Sequence, residues 1–143
     1  MTEKHVRVAQ RYFDAWNRRD AQGLVASFAE GGTYTDPTTS GPLTGEAIGA
    51  HAQGLWAAFP DLSFDLVSVA QHDSGLVALE WLMKGTNTGS MMGFPPTGLP
   101  VTLPGADFIR VEGDKIRSAQ GYFDSAAVAR GLGLDVVLQP KAR

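Results

Sequence analysis

The segment LPVTLPGADFIRVEGDKIRSAQGYF, residues 99–123, reads as two strands joined by a tight turn. Leu99, Val101, Leu103, Ile109 and Val111 fall on every second position, the period of a strand with one buried face. Glu112-Gly113-Asp114 has the composition of a turn, and Lys115 to Phe123 continues as the next strand. Upstream, Leu76 to Lys84 is an apolar strand carrying Trp81 and Met83. Leu62 to His72 alternates in part and ends at the turn Ser74-Gly75. Residues 62–123 therefore predict a strand meander. It is interrupted by a Gly/Pro-rich loop, Asn87 to Gly98, that holds Met91, Met92 and Phe94. Such a loop cannot bury all three in a regular element, and it is placed to cover the mouth of a cavity.

The residues before Pro60 follow the other period. Val6, Ala9, Phe13 and Trp16 mark one face of a helix over Glu3–Arg19. Asp20 is an N-cap for a second short helix with Leu24, Val25 and Phe28 inward, ended by Gly31-Gly32. Thr33-Tyr34-Thr35 is a short strand that Asp36-Pro37 stops. Thr44 caps a third helix with Ile48, Ala52, Leu55 and Phe59 inside, and Pro60 closes it. Ser125 to Gly131 reads as a last short helix. Helices first and a meander afterwards imply one α+β domain over residues 1–143. The expected architecture is a cone-shaped, curved antiparallel sheet packed against three N-terminal helices and enclosing an apolar cavity. Three Trp, seven Phe and four Met are available to line it.

Composition narrows the function classes. A chain of 143 residues that is 43% hydrophobic and 19% charged suits one soluble domain. The net charge of −3, with no basic run, argues against a nucleic-acid partner. The absence of Cys excludes disulfides, thiolate metal sites and a Cys nucleophile. Three His without a His-x-x-x-His pair give no metal signature, and neither a G-x-G-x-x-G nor a G-x-S-x-G motif is present. No cofactor is expected. No apolar run approaches the roughly 20 residues that cross a bilayer, so no membrane association is expected. The polar start, Met1 to Gln10, has no export signal, and a cytoplasmic location is expected.

Three polar residues stand out. Asp107 falls on the apolar row of its strand, between Gly105 and Ile109. A carboxylate there is ion-paired, or desolvated and protonated. It could equally cap a loop, or a bulge at Pro104-Gly105 could shift the phase. Asp36 precedes Pro37 as a turn-starting Asp does. Tyr12 sits beside the inner face of the first helix, where a core Tyr with a satisfied hydroxyl is the ordinary reading. Taken together, a base, a protonated donor and a phenol would suit enolate chemistry. His51, near the cavity-facing row of the third helix, is a pocket donor, a second acid/base or a structural residue.

Val8-Ala9-Gln10-Arg11-Tyr12, Trp16-Asn17, Asp20 and Thr33-Tyr34-Thr35-Asp36-Pro37 resemble the opening of ketosteroid isomerase and its nuclear-transport-factor-like relatives. Asp107-Phe108-Ile109-Arg110, Lys115-Ile116 and Gln120-Gly121-Tyr122-Phe123 resemble its closing strands. Ala58-Phe59-Pro60-Asp61-Leu62, Gly85-Thr86-Asn87-Thr88-Gly89, Gly93-Phe94-Pro95-Pro96-Thr97-Gly98 and Tyr122-Phe123-Asp124 are similar to the SnoaL-like polyketide cyclases. The resemblance implies Asp36 as general base, with Tyr12 and Asp107 as oxyanion donors; a neutral buried Asp in that enzyme is a known case. The cyclases carry an acid/base Asp on the last long strand, which falls at Gly121 here, with Asp124 close by as the alternative acid/base. Trp16, His51, Trp56, Phe59, Trp81, Met83, Met92, Phe94, Gln120 and Phe123 are expected to line the pocket. The implied activity is double-bond isomerisation in a steroid-like ketone; ring closure in a polyketide, or binding without catalysis, are the alternatives. A homodimer through the outer sheet face, using the Leu76–Lys84 and Lys115–Phe123 strands, is also expected.

Overall fold

The computed structural model describes all residues except Met1, Met92 and Arg143, and of Thr2 it describes the backbone alone. Helix α1 (Thr2–Arg18) buries Val8, Ala9, Tyr12, Phe13 and Trp16 on one face, as the 3-and-4 spacing requires. Helix α2 (Ala21–Ala26) starts at Asp20, whose side chain accepts from the Gly23 amide. Strand β1 (Phe28–Thr35) and the two-residue β2 (Leu43–Thr44) precede helix α3 (Glu46–Ala58). Strands β3 (Ser63–Gln71), β4 (Leu76–Thr86), β5 (Pro100–Glu112) and β6 (Lys115–Tyr122) follow, and helix α4 (Ser125–Gly131) comes last. None of the described helices is long and apolar enough to cross a membrane.

One six-stranded sheet runs in the order β2-β1-β6-β5-β4-β3. The meander β3-β4-β5-β6 is antiparallel throughout. The sheet as a whole is mixed, because β1 lies parallel to β6. That pairing joins distant segments, and nothing in the local alternation of either strand encodes it.

Two boundaries differ from expectation. Phe28 and Gly31-Gly32 belong to β1, not to the end of α2. Gly31 has a φ of 73°, and the β1–β6 register shifts between Phe28 and Thr33, so the two glycines form a bulge inside the strand. Thr44 is the end of β2, not a helix cap. Gly45 holds the N-cap of α3 at a φ of 55° and makes no side-chain cap bond.

The apolar row of β5 is as the alternation predicts. Val101, Leu103, Asp107, Ile109 and Val111 are all buried, and only Leu99, just before the strand, is exposed. The loop between β4 and β5 is pinned at its base by Asn87, which is almost fully buried. Its amide donates to the carbonyls of Ala58 and Gly89 at 3.2 and 2.9 Å and accepts from the Thr97 amide at 2.8 Å. All its polar atoms are thereby satisfied. The tip of the loop closes with a Met91–Phe94 bridge.

Candidate active site

A cavity of about 1270 Å³ opens between the sheet, α1, α3, the 87–98 loop and the segment after α4. Its walls are mostly apolar: Phe13, Trp16, Phe59, Phe64, Trp81, Met83, Leu103 and Phe123. The polar side chains Tyr12, Tyr34, Asp36, His51 and Asp107 also line it. Met91 and Phe94 line it from the loop, and Leu134 to Leu138 line it from the tail. Val137 and Leu138 are strongly exposed there. This tail has no periodicity, and the sequence reading did not identify it.

Asp36 directly follows β1, and Pro37 stops the strand because it has no amide to donate. The chain then turns so that the Thr38 amide and hydroxyl both donate to Asp36 Oδ1, at 2.7 and 2.6 Å. Oδ2 accepts the Tyr34 hydroxyl at 2.6 Å and lies 3.1 Å from His51 Nε2. Burial alone would raise the pKa of this carboxyl. The hydrogen bonds from His51, Thr38 and Tyr34 outweigh that and hold it well below the usual carboxylate range. Asp36 is therefore a fixed anion. Tyr34 and Thr38 were not foreseen, although Tyr34 shares a strand face with Asp36 by being two residues away.

Asp107 is the opposite case. It is buried, and its one side-chain partner among the described residues is Trp81, whose Nε1–H donates to Oδ1 at 3.1 Å. Burial pushes its pKa up to about 7; the Trp81 hydrogen bond opposes this, and the charge of Asp36 adds to it. Gly121 is its partner on β6. A Cβ at position 121 would lie 3.2 Å from Asp107 Oδ1 and 3.4 Å from Asp36 Cβ, so the glycine leaves the space between the two carboxyl groups open. Burial, and after it the charge of Asp107, keeps the Tyr12 phenol protonated far above its usual range. Tyr12, Asp36 and Asp107 thus share one cavity.

Most of the expected pocket residues line the cavity: Trp16, His51, Phe59, Trp81, Met83, Phe94 and Phe123. Trp56 and Gln120 do not. Trp56 packs edge-on against Trp16 at 5.7 Å in the core. Gln120 is out of phase with the buried Ala119 and Gly121, and its amide donates to backbone carbonyls of Thr35 and Gly121. Met92 lies outside the described residues. Asp124 is exposed and is not part of the cavity wall. It caps α4, accepting from the Ala126 and Ala127 amides, and pairs with Arg130 at 3.1 Å. Among the described residues, no group of three or more His, Asp or Glu is placed to hold a metal ion.

No curated protein sequence matches this chain. Solved structures do. AclR, a candidate hydroxylase from Streptomyces galilaeus, is 20% identical with a TM-score of 0.83, over 97% of this chain and 91% of that one. A protein of ketosteroid isomerase-like fold from Catenulispora acidiphila, crystallised with trimethylamine, is 22% identical with a TM-score of 0.76, over 93% and 97% of the two chains. IdmH, a candidate polyketide cyclase from Streptomyces antibioticus, is 25% identical with a TM-score of 0.79, over 91% and 99%. These likenesses establish the ketosteroid isomerase-like fold. The family model of the SnoaL-like polyketide cyclases matches residues 6–132, nearly the whole domain, and the chain belongs to that family.

Proposed function

We propose that the protein is a cofactor-free acid/base enzyme that enolises a carbonyl in a hydrophobic, polyketide-like molecule. One observation carries this reading: two carboxyl groups line one apolar cavity in opposite environments, Asp36 ringed by donors that favour its ionised form and Asp107 buried with a single donor, which pushes its pKa up to about 7. Groups whose environments drive their pKa values apart are suited to opposite roles in proton transfer. At or below neutral pH, Asp107 and Tyr12 can both donate hydrogen bonds to a substrate oxygen and stabilise an enolate.

The hydrogen bonds at Asp36 support a different division of labour from the one the resemblance implies. Both oxygens of Asp36 are already engaged by donors, which makes it a weak base. His51 lines the cavity beside it. With Nε2–H donating to Asp36, the Nδ1 lone pair of His51 acts as the base, and Asp36 fixes that tautomer and orients the ring. The enolate carbon then attacks a second carbonyl of the same molecule, closing a ring, and the oxygen of that carbonyl takes back the proton held by His51. The family and the cavity favour this outcome, since about 1270 Å³ exceeds the roughly 300–1,000 Å³ of ordinary ligand sites and suits a multi-ring substrate. Return of the proton to a different carbon, shifting a double bond, is the second reading; the paired donors Tyr12 and Asp107 favour it.

Enolisation is common to both outcomes and can be followed without knowing the product. In D₂O, the protein is expected to exchange the hydrogens next to the ketone of a rigid polycyclic ketone, as followed by proton NMR. Exchange at the buffer rate, with the ketone shown to be bound, would contradict the reading.

The same proposal includes a homodimer. Phe108 of β5 and Tyr122 of β6 pack edge-on at 5.7 Å on the outer sheet face, and both are exposed in the single chain. Paired exposed aromatics favour burial against another surface. Sedimentation at about 50 μM is expected to give a species of twice 15.2 kDa, and Phe108→Glu to halve it. A 15.2 kDa species at that concentration would contradict it.

A further inference from the structure

Trp81 of β4 and Gly105 of β5 face each other across the sheet, and Asp107 lies two residues beyond Gly105 on the same face. The six-membered ring of Trp81 lies directly over Gly105. A Cβ at position 105 would overlap Cη2 and Cζ2 and come within 2.8 Å of Cζ3. The five-membered end of the same indole reaches Asp107, with Nε1 donating to Oδ1 at 3.1 Å. Phe64 and Phe123 flank the ring at 5.1 and 6.2 Å, so a ring pushed off Gly105 must displace them as well. Gly105 is not in a left-handed conformation, unlike seven other glycines of the chain. Its backbone accepts any residue, and a glycine inside a strand is otherwise a cost. The close approach of the indole is what requires it.

We propose that Gly105 is a positioning residue: it leaves the space in which the Trp81 indole crosses from β4 to β5 and thereby fixes which oxygen of Asp107 carries the proton. An indole N–H only donates, so Oδ1 is committed as an acceptor. The proton of the neutral carboxyl then resides on Oδ2, which is left to donate to a substrate oxygen. This inference rests on the donor role of Asp107 in the proposed enolisation. The titratable groups acting on Asp107 are Tyr12 from α1, Tyr34 and Asp36 from β1 and its end, and His51 of α3 through Asp36. Its neighbours on β4, Leu79 and Trp81, and on β6, Gly121, carry no charge.

The test is a carboxyl-carbon NMR titration of Asp107 in the full chain, with no substrate present. Trp81→Phe keeps a ring and removes the donor. Gly105→Ala keeps the donor and displaces it. Each is expected to raise the midpoint of Asp107 by about one pH unit, since each removes a hydrogen bond to the ionised form. The double variant is expected to shift no further than either single one. A folded Gly105→Ala protein with an unchanged midpoint would overturn the proposal. Should Gly105→Ala fail to fold, Gly105→Ala with Trp81→Leu makes room for the Cβ and is expected to fold; failure of that pair also overturns it. The expected shifts without ketone exchange in the wild type would leave the positioning role standing and remove the enzymatic one.

Discussion

Asp36→Asn is expected to slow exchange of the ketone's neighbouring hydrogens by about 100- to 10,000-fold, the range a positioned base typically supplies. Asn keeps the size of the side chain but replaces one acceptor oxygen with an NH₂ donor. An NH₂ facing His51 would turn Nε2 into the acceptor and place the ring proton on Nδ1, the nitrogen that should take the substrate's proton. His51→Gln is expected to lose a similar factor, because the two side chains act as one unit joined at 3.1 Å. The comparison decides between the two candidate bases. Were Asp36 itself the base, Asp36→Asn would be the damaging change and His51→Gln mild. Binding of a polycyclic ketone, read by quenching of Trp fluorescence, is expected to survive both substitutions, since the apolar walls are untouched. Asp124→Asn is expected to leave exchange unchanged, because Asp124 is spent on capping α4 and pairing with Arg130.

The second large effect concerns stability. A carboxyl whose pKa is about 7 when folded and near 4 when unfolded binds its proton more tightly in the folded chain. Its contribution is therefore fully present below about pH 4 and is lost as pH rises to about 7. Three units correspond to about 4 kcal/mol. Asp107→Asn has no proton to lose. Its unfolding free energy, compared with the wild type by urea titration, is expected to gain about 4 kcal/mol between pH 4 and pH 8. Asp36 behaves with the opposite sign, losing its stabilisation as pH falls below about 4, but it is common to both proteins and cancels in the comparison. The same substitution separates charge from hydrogen bonding in function. Wild-type exchange is expected to fall as pH rises past about 7, because ionised Asp107 no longer donates. Asp107→Asn still donates and is expected to lose that alkaline fall, whereas Asp107→Leu is expected to be about 100- to 1,000-fold slower than the wild type below about pH 7, the gap closing at higher pH as the wild type loses the same donor. Equal pH dependence of stability in wild type and Asp107→Asn would contradict a raised pKa.

Much of the site was legible because strand alternation is local. Asp107 sits in phase with Val101, Leu103, Ile109 and Val111, and that parity alone put a carboxyl in the core. Alternation would also have excluded Gln120, which is one residue out of phase with Ala119 and Gly121, and included Tyr34, which is in phase with Asp36. Asp124 followed by Ser125-Ala126-Ala127 was readable as a helix cap. Other features depend on contacts far apart in sequence. Leu24, Val25 and Phe28 fit helical spacing, yet the Ser27 carbonyl accepts from the amide of Ile116 on β6, and the chain is drawn into a strand there. Trp56 and His51 lie on the same helix, and which of them meets the cavity depends on where Trp16 packs. The role of Gly105 depends on the rotamer of Trp81, and no sequence spacing specifies that.

Two carboxyl groups in one cavity are expected to hold opposite charge states, and a carboxyl-carbon NMR titration of the wild-type chain reads both directly. Asp107 is expected to titrate with a midpoint near 7, and Asp36 to remain ionised down to the acid limit of the folded state. A midpoint for Asp107 near 4, the ordinary value for an Asp, would contradict this, because Asp107 would then be ionised at neutral pH and Tyr12 alone would be left to donate.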